Sequence, residues 1–284
     1  MNVAEKPVVF NCGDDELVGI IHQPDKPTKT GLILVVGGPQ YRVGSHRQFV
    51  LLARYLAKNG VTVFRFDYRG MGDSSGELRT FESIREDLKA TISFFKTSYR
   101  KIENFVLWGL CDAATANVFY ACNDPDIHGL ILLNPWIRTE SGEAGAYIKR
   151  YYSSQIINLD FWKRLINGEV AITKSMLSFL SIIKKYKSKN TENVGDDESL
   201  PVRFLQGIKK YRGKVLIVLS GNDITAAEFK NQVAMNKDLK RELAKTSVTT
   251  INIKEANHTF SSKDWRSLVE ELTFEWISDN FELS

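Results

Sequence analysis

The chain has 284 residues and a mass of 32.2 kDa, with 43% hydrophobic and 25% charged residues. This is an ordinary globular composition, and it excludes a disordered protein. The 38 basic and 34 acidic residues leave a net charge of +4 without a basic arm, so we expect no nucleic-acid partner. The mean hydropathy is −0.22, and the chain has neither a membrane-length apolar run nor a signal-peptide pattern at its start. The sequence therefore predicts a cytosolic protein without stable membrane insertion.

The three cysteines, Cys12, Cys111 and Cys122, are too few for a disulfide framework and lack the spacing of a metal site. They fit a reducing compartment, with at least one free thiol. The sequence carries no phosphate-binding loop, metal-ligand spacing or dinucleotide fingerprint. We therefore expect neither a metal nor an organic cofactor.

Short β-branched runs alternate with stretches of helical periodicity, which predicts a mostly parallel sheet flanked by helices. Two N-terminal segments, 7–10 and 17–22, predict an antiparallel hairpin at its edge. The later elements are predicted strands at 31–36, 61–66, 105–108, 129–133, 215–219 and 248–253 and predicted helices at 49–57, 84–95, 113–121, 226–243 and 264–279.

The alternation of strand and helix stops between residues 136 and 210. This stretch predicts helices at 146–152, 161–165 and 173–186, followed by a polar run. We expect an inserted helical lid over 136–210, and a core built from residues 1–135 and 211–284.

Cys111 lies between an apolar strand and a helix, with the small residues Gly109 and Ala113 on either side. Such a pattern is typical of a nucleophile elbow, where small neighbours allow a sharp turn that exposes the nucleophile at the carboxyl edge of the sheet. The helix dipole and a nearby imidazole would favour a thiolate there, so Cys111 is predicted to react either as a thiolate or as a thiol that His258 deprotonates. The alternative is a small buried cysteine in a core turn.

The two partners that a nucleophile needs are found at the carboxyl ends of the last two strands. His258 follows the final strand, and Asp223 follows the strand before it. The order nucleophile, acid, histidine is that of α/β-hydrolases. The alternatives are a solvated loop histidine and an aspartate that caps the next helix, with Asn222 and Glu228 as other candidates for the acid.

Four segments resemble the exosortase A system-associated hydrolases: 36–47, 66–76, 109–114 and 133–140. The second is general to the α/β-hydrolase superfamily, and the other three are more particular. The resemblance implies an α/β-hydrolase fold and a bacterial cytosolic hydrolase encoded beside machinery for envelope protein sorting and exopolysaccharide production. Its natural substrate is not implied. Cysteine replaces serine at the elbow, as in dienelactone hydrolases.

An oxyanion hole in this fold takes its first N–H from the residue after the nucleophile, here Asp112, and its second from the loop after residue 36. Pro39 has no N–H, so Gly38 or Gln40 must supply the second donor. We favour Gln40, because it follows the turn that the glycines and the proline make.

Other polar and aromatic residues have two readings each. Arg42 and His46 are candidates to bind an anionic group of the substrate, although His46 is equally suited to cap the following helix. Trp136 and Arg138 either line an acyl or sugar pocket or pack the lid. The turn that begins at Asp67 indicates a structural role.

The sequence predicts acyl transfer from a small-molecule ester or thioester through Cys111, His258 and Asp223. Water would complete hydrolysis, whereas another acceptor would make the protein an acyltransferase. Two further classes stay open: a catalytically weak hydrolase fold that binds a lipid carrier or sorting partner, and a redox sensor at Cys111. The oligomeric state is not indicated.

Overall fold

The computed structural model of the protein describes residues 3–26, 28–38, 40–138 and 199–283. The chain divides into two compact units, one of residues 1–137 and 201–284 and the other of residues 138–200. The helices predicted within 146–186 lie outside the described residues. In the described ranges, no helix is both long and apolar enough to cross a lipid bilayer.

An eight-stranded sheet forms the centre of the first unit, with strand order β1-β2-β4-β3-β5-β6-β7-β8. The pairs β1–β2 and β2–β4 are antiparallel, and all other pairs are parallel. The predicted edge hairpin and the mostly parallel sheet are therefore confirmed. The strands are β1 Ala4–Cys12, β2 Asp15–Gln23, β3 Thr30–Val35, β4 Thr62–Phe66, β5 Asn104–Leu110, β6 Ile127–Leu133, β7 Lys214–Asn222 and β8 Val248–Asn257.

Helices follow the strands as the periodicity predicts. They are α1 Gln48–Lys58, α2 Arg85–Ser98, α3 Asp112–Ala121, α4 Leu200–Lys210, α5 Ile224–Met235, α6 Lys237–Leu243 and α7 Lys263–Asn280, with a short 3-10 turn over Ser45–Arg47. The predicted helix over 226–243 is two helices. Asn236 separates them, because its side chain accepts the N–H groups of Asp238 and Leu239 and starts α6.

The core lies on both faces of the central strands. Every residue of β3 and β4 is buried, as expected for a sheet covered on both sides. On one face, α1 buries an apolar stripe, and its Phe49 ring packs edge-on against Trp108 of β5 at 5.6 Å between centroids.

Helix α4 differs from the sequence prediction, which placed residues 200–210 in the inserted lid. Residues 201–210 belong to the first unit. Phe204 is fully buried, and its ring packs against Phe229 of α5 at 5.8 Å between centroids. In the sequence, α4 directly follows a run of polar residues, which makes its apolar face hard to recognise.

The parallel strands bring the loops at their carboxyl ends to one edge of the sheet. Register pairs Leu110 with Leu133 and Asn222 with Asn257, so the residues that follow these strands are neighbours in space. In open α/β sheets this edge is where ligands bind.

Candidate active site

Cys111 stands alone between β5 and α3, in the sharp turn that the sequence predicts. Its backbone has φ 63° and ψ −122°, a combination that residues other than glycine rarely adopt. The turn is held on both sides: the Cys111 N–H donates to the Leu133 carbonyl at 2.9 Å, and the Cys111 carbonyl accepts the Trp136 N–H at 3.3 Å. Strain that the surroundings hold in this way is frequent at functional sites.

The glycine two residues before Cys111 is required by packing. A Cβ placed on Gly109 would lie 2.7 Å from the Asn117 side chain and 2.8 Å from the backbone of Ala113. The elbow therefore closes only with glycine at this position.

Of the two states predicted for Cys111, a thiolate or a thiol that His258 deprotonates, the electrostatics of the site favour the thiol. Burial raises the pKa of the Cys111 thiol well above its ordinary value, and the carboxylates of Asp112 and Asp223 raise it further. The Asp112 N–H lowers this pKa, but by less. The resting sulfur is therefore a neutral thiol and needs a base.

The base predicted from the sequence contacts the predicted acid. His258 Nδ1 lies 3.0 Å from Asp223 Oδ2. Burial raises the pKa of the Asp223 carboxyl, but the His258 hydrogen bond and charge and the N–H groups of Ala226 and Thr225 outweigh burial and bring this pKa below its ordinary value. Asp223 is thus an ionised acceptor that fixes the imidazole by its Nδ1.

Asp223 is also the N-cap of α5, as the alternative interpretation predicts, and its catalytic role stays a prediction. Its side chain accepts the Thr225 N–H at 3.3 Å and the Ala226 N–H at 3.0 Å. Of the other candidate acids, Asn222 ends β7 and Glu228 lies in α5.

Among the described residues, no hydrogen bond joins the Cys111 sulfur to His258. The two residues share the same sheet edge and the same electrostatic surroundings: the Asp223 charge acts on Cys111, and the His258 charge acts on Asp112.

Asn134 is a site residue that sequence reasoning missed. It is fully buried directly after β6, with φ 44°. Its Nδ2 donates to the His258 carbonyl at 3.1 Å, and its Oδ1 accepts the Ser220 N–H at 2.8 Å. Asn134 therefore ties the histidine loop to β7. An asparagine between an apolar strand and Pro135 was the available signal.

The loop after β3 packs directly on the elbow. The Gly38 N–H donates to Asp112 Oδ2 at 2.9 Å. A Cβ on Gly37 would overlap the Asp112 carboxylate and lie 2.8 Å from the Leu110 carbonyl oxygen. In the same loop, the Gln40 side chain accepts the Ser45 N–H at 3.3 Å. The structure thus brings the predicted loop to the residue after the nucleophile.

Arg42 is bound by carboxylates of the protein itself. Its guanidinium pairs with Asp67 and Asp73, and its backbone N–H donates to Asp67 Oδ1 at 2.6 Å. Asp67 is fully buried and also accepts the Asp73 N–H. These contacts give Arg42 a structural task, and its contact with substrate stays a prediction.

His46 is exposed and has φ 53° within the 3-10 turn. It does not cap α1, because Arg47 occupies the N-cap position and makes no capping hydrogen bond with its side chain. Its role in binding substrate stays a prediction.

Trp136 packs near the elbow. Its carbonyl accepts the Thr115 hydroxyl at 2.7 Å, and its ring meets Phe81 edge-on at 5.4 Å between centroids. Arg138 is the last described residue before the insertion. A pocket lined by these two residues stays a prediction. Within the described part of the chain, no group of three or more His, Cys, Asp or Glu side chains is placed to hold a metal ion.

The comparisons with known proteins agree on the fold. The family described as Hydrolase_4, serine aminopeptidase S33, matches residues 30–181. An esterase of Pyrococcus furiosus is similar with a TM-score of 0.71 and 16% identity, covering 98% of this chain and 92% of the esterase.

Two further solved structures are similar over nearly their whole length. A dienelactone hydrolase of Anabaena variabilis has a TM-score of 0.64 and 13% identity, covering 99% of this chain and 100% of its own. Est1E of Butyrivibrio proteoclasticus, bound to ferulic acid, has a TM-score of 0.63 and 16% identity, covering 96% and 98%. The sequence matches no curated protein. The predicted fold class is confirmed.

Proposed function

Because the chain belongs to the Hydrolase_4 family and has the α/β-hydrolase fold, we propose that it hydrolyses a small-molecule ester or thioester through Cys111, His258 and Asp223. The names of two structural neighbours, an esterase and a dienelactone hydrolase, support this bond type. The fold makes the chain an α/β-hydrolase, and the triad and the bond cleaved are our proposal.

The observation that carries the proposal is the 3.0 Å contact between His258 Nδ1 and Asp223 at the edge where Cys111 forms the elbow. A carboxylate on Nδ1 fixes the tautomer whose Nε2 lone pair is free to take a proton. The raised pKa of the Cys111 thiol makes such a base necessary.

The first half of the reaction acylates the enzyme. His258 Nε2 takes the proton of the Cys111 thiol while the sulfur forms a bond to the carbonyl carbon, and the carbonyl electron pair moves onto oxygen. When the C=O bond reforms, the alkoxide or thiolate leaves and takes the proton from His258. An acyl-cysteine remains.

The second half repeats these steps with water. His258 takes a proton from water, the hydroxyl adds to the thioester carbon, and the Cys111 thiolate leaves and regains the proton. The products are a carboxylic acid and the free enzyme. If another nucleophile replaces water, the same residues transfer the acyl group to it.

The test is turnover of p-nitrophenyl esters and acyl-CoA thioesters, followed by product release and by intact mass. We expect hydrolysis, or a trapped acyl adduct, that disappears in Cys111→Ala and falls by at least about 10³-fold in His258→Ala. Cys122→Ala is the matched control, because Cys122 lies at the far end of α3 and should leave the rate unchanged.

The opposite result is a wild-type protein that neither turns over nor gains an adduct, with Cys111 unlabelled by iodoacetamide. A catalytically weak hydrolase fold that binds a lipid carrier or sorting partner would then explain the site better. The redox-sensor reading is disfavoured, because the raised pKa of the Cys111 thiol opposes the thiolate that such a sensor needs.

The resemblance of 36–47, 109–114 and 133–140 to exosortase A system-associated hydrolases supports a cytosolic role in exopolysaccharide or envelope-sorting systems. Gene neighbourhood tests this link. The proposal is supported if exosortase or exopolysaccharide genes flank the coding sequence and is contradicted if they are absent from the genome.

A further inference from the structure

The Asp112 carboxylate lies where backbone donors of the elbow and of the loop after β3 converge. Its Oδ2 accepts the Gly38 N–H at 2.9 Å, and its Oδ1 accepts the Ala113 N–H at 2.9 Å. The N–H of Asp112 itself also stabilises this carboxylate. Two of these groups are candidate oxyanion donors: the Asp112 N–H for the first position, and the Gly38 N–H, the alternative to the favoured Gln40, for the second. We take Gly38 as the second donor here, because its N–H points at the residue after the nucleophile.

The surroundings of the carboxylate are unusual for a structural anion. Asp112 is buried, with 8% of its surface exposed, and no described lysine, arginine or histidine side chain forms an ion pair with it. Burial raises the pKa of the Asp112 carboxyl, and the N–H groups of Gly38, Ala113 and Asp112, together with the His258 charge, offset only part of that rise. Gly37 fits against this carboxylate only because it has no Cβ.

We propose that the Asp112 carboxylate is an internal occupant of the oxyanion hole, which must leave the Gly38 N–H before a substrate oxyanion can be stabilised there. This inference rests on the proposed function, since the hole serves Cys111 chemistry. Asp112 is then a positioning residue that competes with the carbonyl oxygen of the substrate for one donor. Charged and titratable groups around it are Cys111 and His258, and Asp223 acts on the same thiol.

Two reagents distinguish the reactivity of the Cys111 sulfur from the stabilisation of an oxyanion. Iodoacetamide alkylates the sulfur by displacing iodide, and no oxyanion forms. The ketone 1,1,1-trifluorododecan-2-one adds the sulfur to its carbonyl carbon, while the carbonyl electron pair moves onto oxygen and the thiol proton passes to that oxygen or to His258. Only the second reaction needs the oxyanion hole.

The experiment measures the alkylation rate of Cys111 and the affinity for the ketone in the wild type, Asp112→Asn and Asp14→Asn. We expect Asp112→Asn to raise the affinity for the ketone about tenfold more than it raises the alkylation rate, because a neutral acceptor holds an N–H less strongly than a carboxylate does. Asp14 is an exposed turn residue in the β1–β2 hairpin, and its substitution should change neither value.

Asp112→Ala is the second variant, since it keeps a good helix former at the start of α3 and removes the acceptor altogether. It should raise ketone affinity at least as much as Asp112→Asn, and the thermal unfolding midpoint shows that each variant is folded.

The proposal is overturned if ketone affinity rises no more than the alkylation rate, or falls, in the folded variants. The carboxylate would then only hold the loop in place. It is also overturned if the ketone binds no variant while iodoacetamide labels Cys111. If neither reagent modifies Cys111 in the wild type or the variants, the proposed nucleophile itself is wrong, and this inference fails with it.

Discussion

A single oxygen, Oδ2 of Asp223, contacts His258 Nδ1 at 3.0 Å and accepts the Ala226 N–H at 3.0 Å. The residue that orients the imidazole is therefore held by the first turn of α5. The capping hydrogen bonds of α5 hold the Asp223 carboxylate in place. The start of α5 and the imidazole of His258 are therefore linked through this one side chain. Substitutions at Asp223 can separate the two tasks.

Asp223→Asn should keep much of the cap, because asparagine is a good N-cap residue, but it should favour the wrong tautomer of His258. We expect kcat to fall by about 10²- to 10⁴-fold with a small change in the free energy of unfolding. Asn236→Ala is the control: it removes the cap of α6, costs about 1 kcal/mol of stability and leaves kcat unchanged. Steady-state kinetics and urea unfolding measure both; equal kcat in Asp223→Asn and wild type would contradict the assignment of the acid.

His22 should make stability depend on pH. It is fully buried, and its Nε2 accepts the Arg65 Nε–H at 2.9 Å, which requires a neutral ring. Burial and the Arg65 charge lower the pKa of His22 from 6.5 to about 4. The unfolded chain therefore binds a proton more readily than the folded chain, so stability is fully present above pH 6.5 and is lost as the pH falls toward 4.

We expect protonation of His22 to lower the free energy of unfolding by about 3 kcal/mol as the pH falls from 6.5 to about 4. His22→Gln keeps an acceptor for Arg65 but does not titrate, so its unfolding free energy should fall less over the same pH range. Urea unfolding at several pH values provides the comparison. Parallel curves for the two proteins would show that His22 does not titrate in this way.

Gly37→Ala should lower the stability of the protein far more than the same substitution at a glycine with free space around it. The added Cβ would overlap the Asp112 carboxylate and lie 2.8 Å from the Leu110 carbonyl oxygen, a backbone atom that cannot move away easily. We expect a loss of several kcal/mol or failure to fold, against about 1 kcal/mol for Gly13→Ala, where φ is +62° and no atom lies within 4 Å. Thermal unfolding ranks the two; similar midpoints would mean that the loop is not packed on the elbow.

Arg42→Gln should lower stability, because it leaves the buried Asp67 carboxylate without its cationic partner. We expect a loss of about 3 kcal/mol, whereas Arg54→Gln, which breaks the half-exposed pair with Glu5, should cost less than about 1 kcal/mol. Urea unfolding measures both values. A stable Arg42→Gln protein with a raised KM would instead favour the contact with an anionic substrate.

Much of the fold could be predicted from the sequence because the central strands, such as β3 and β4, are apolar runs that are buried on both faces. The elbow and the positions of Asp223 and His258 follow from the same logic, since they come directly after strands whose carboxyl ends share an edge. Asn236 was harder to recognise: a short polar residue breaks a helix only when its side chain satisfies the next N–H groups.

The features that were missed depend on contacts between distant parts of the chain. The bond from Asn134 to the His258 carbonyl joins residues 124 positions apart, and no local pattern encodes it. The sequence left Cys111 as either a thiolate or a thiol, and the causes that favour the thiol are burial and two neighbouring carboxylates, which only the folded structure shows. The seating of the Asp112 carboxylate on the Gly38 N–H likewise requires the packed loop.

The strand order also has a consequence for how the protein is made. Strand β6 ends at Leu133, and its partner β7 begins only at Lys214, after the whole insertion. At about 5 to 20 residues per second, the ribosome needs several seconds to supply β7 after β6 has emerged. During that interval the apolar segment Ile127–Leu133 lacks the strand that pairs with it in the native sheet, so we expect the nascent chain to be prone to aggregation at this edge and to be a target for molecular chaperones.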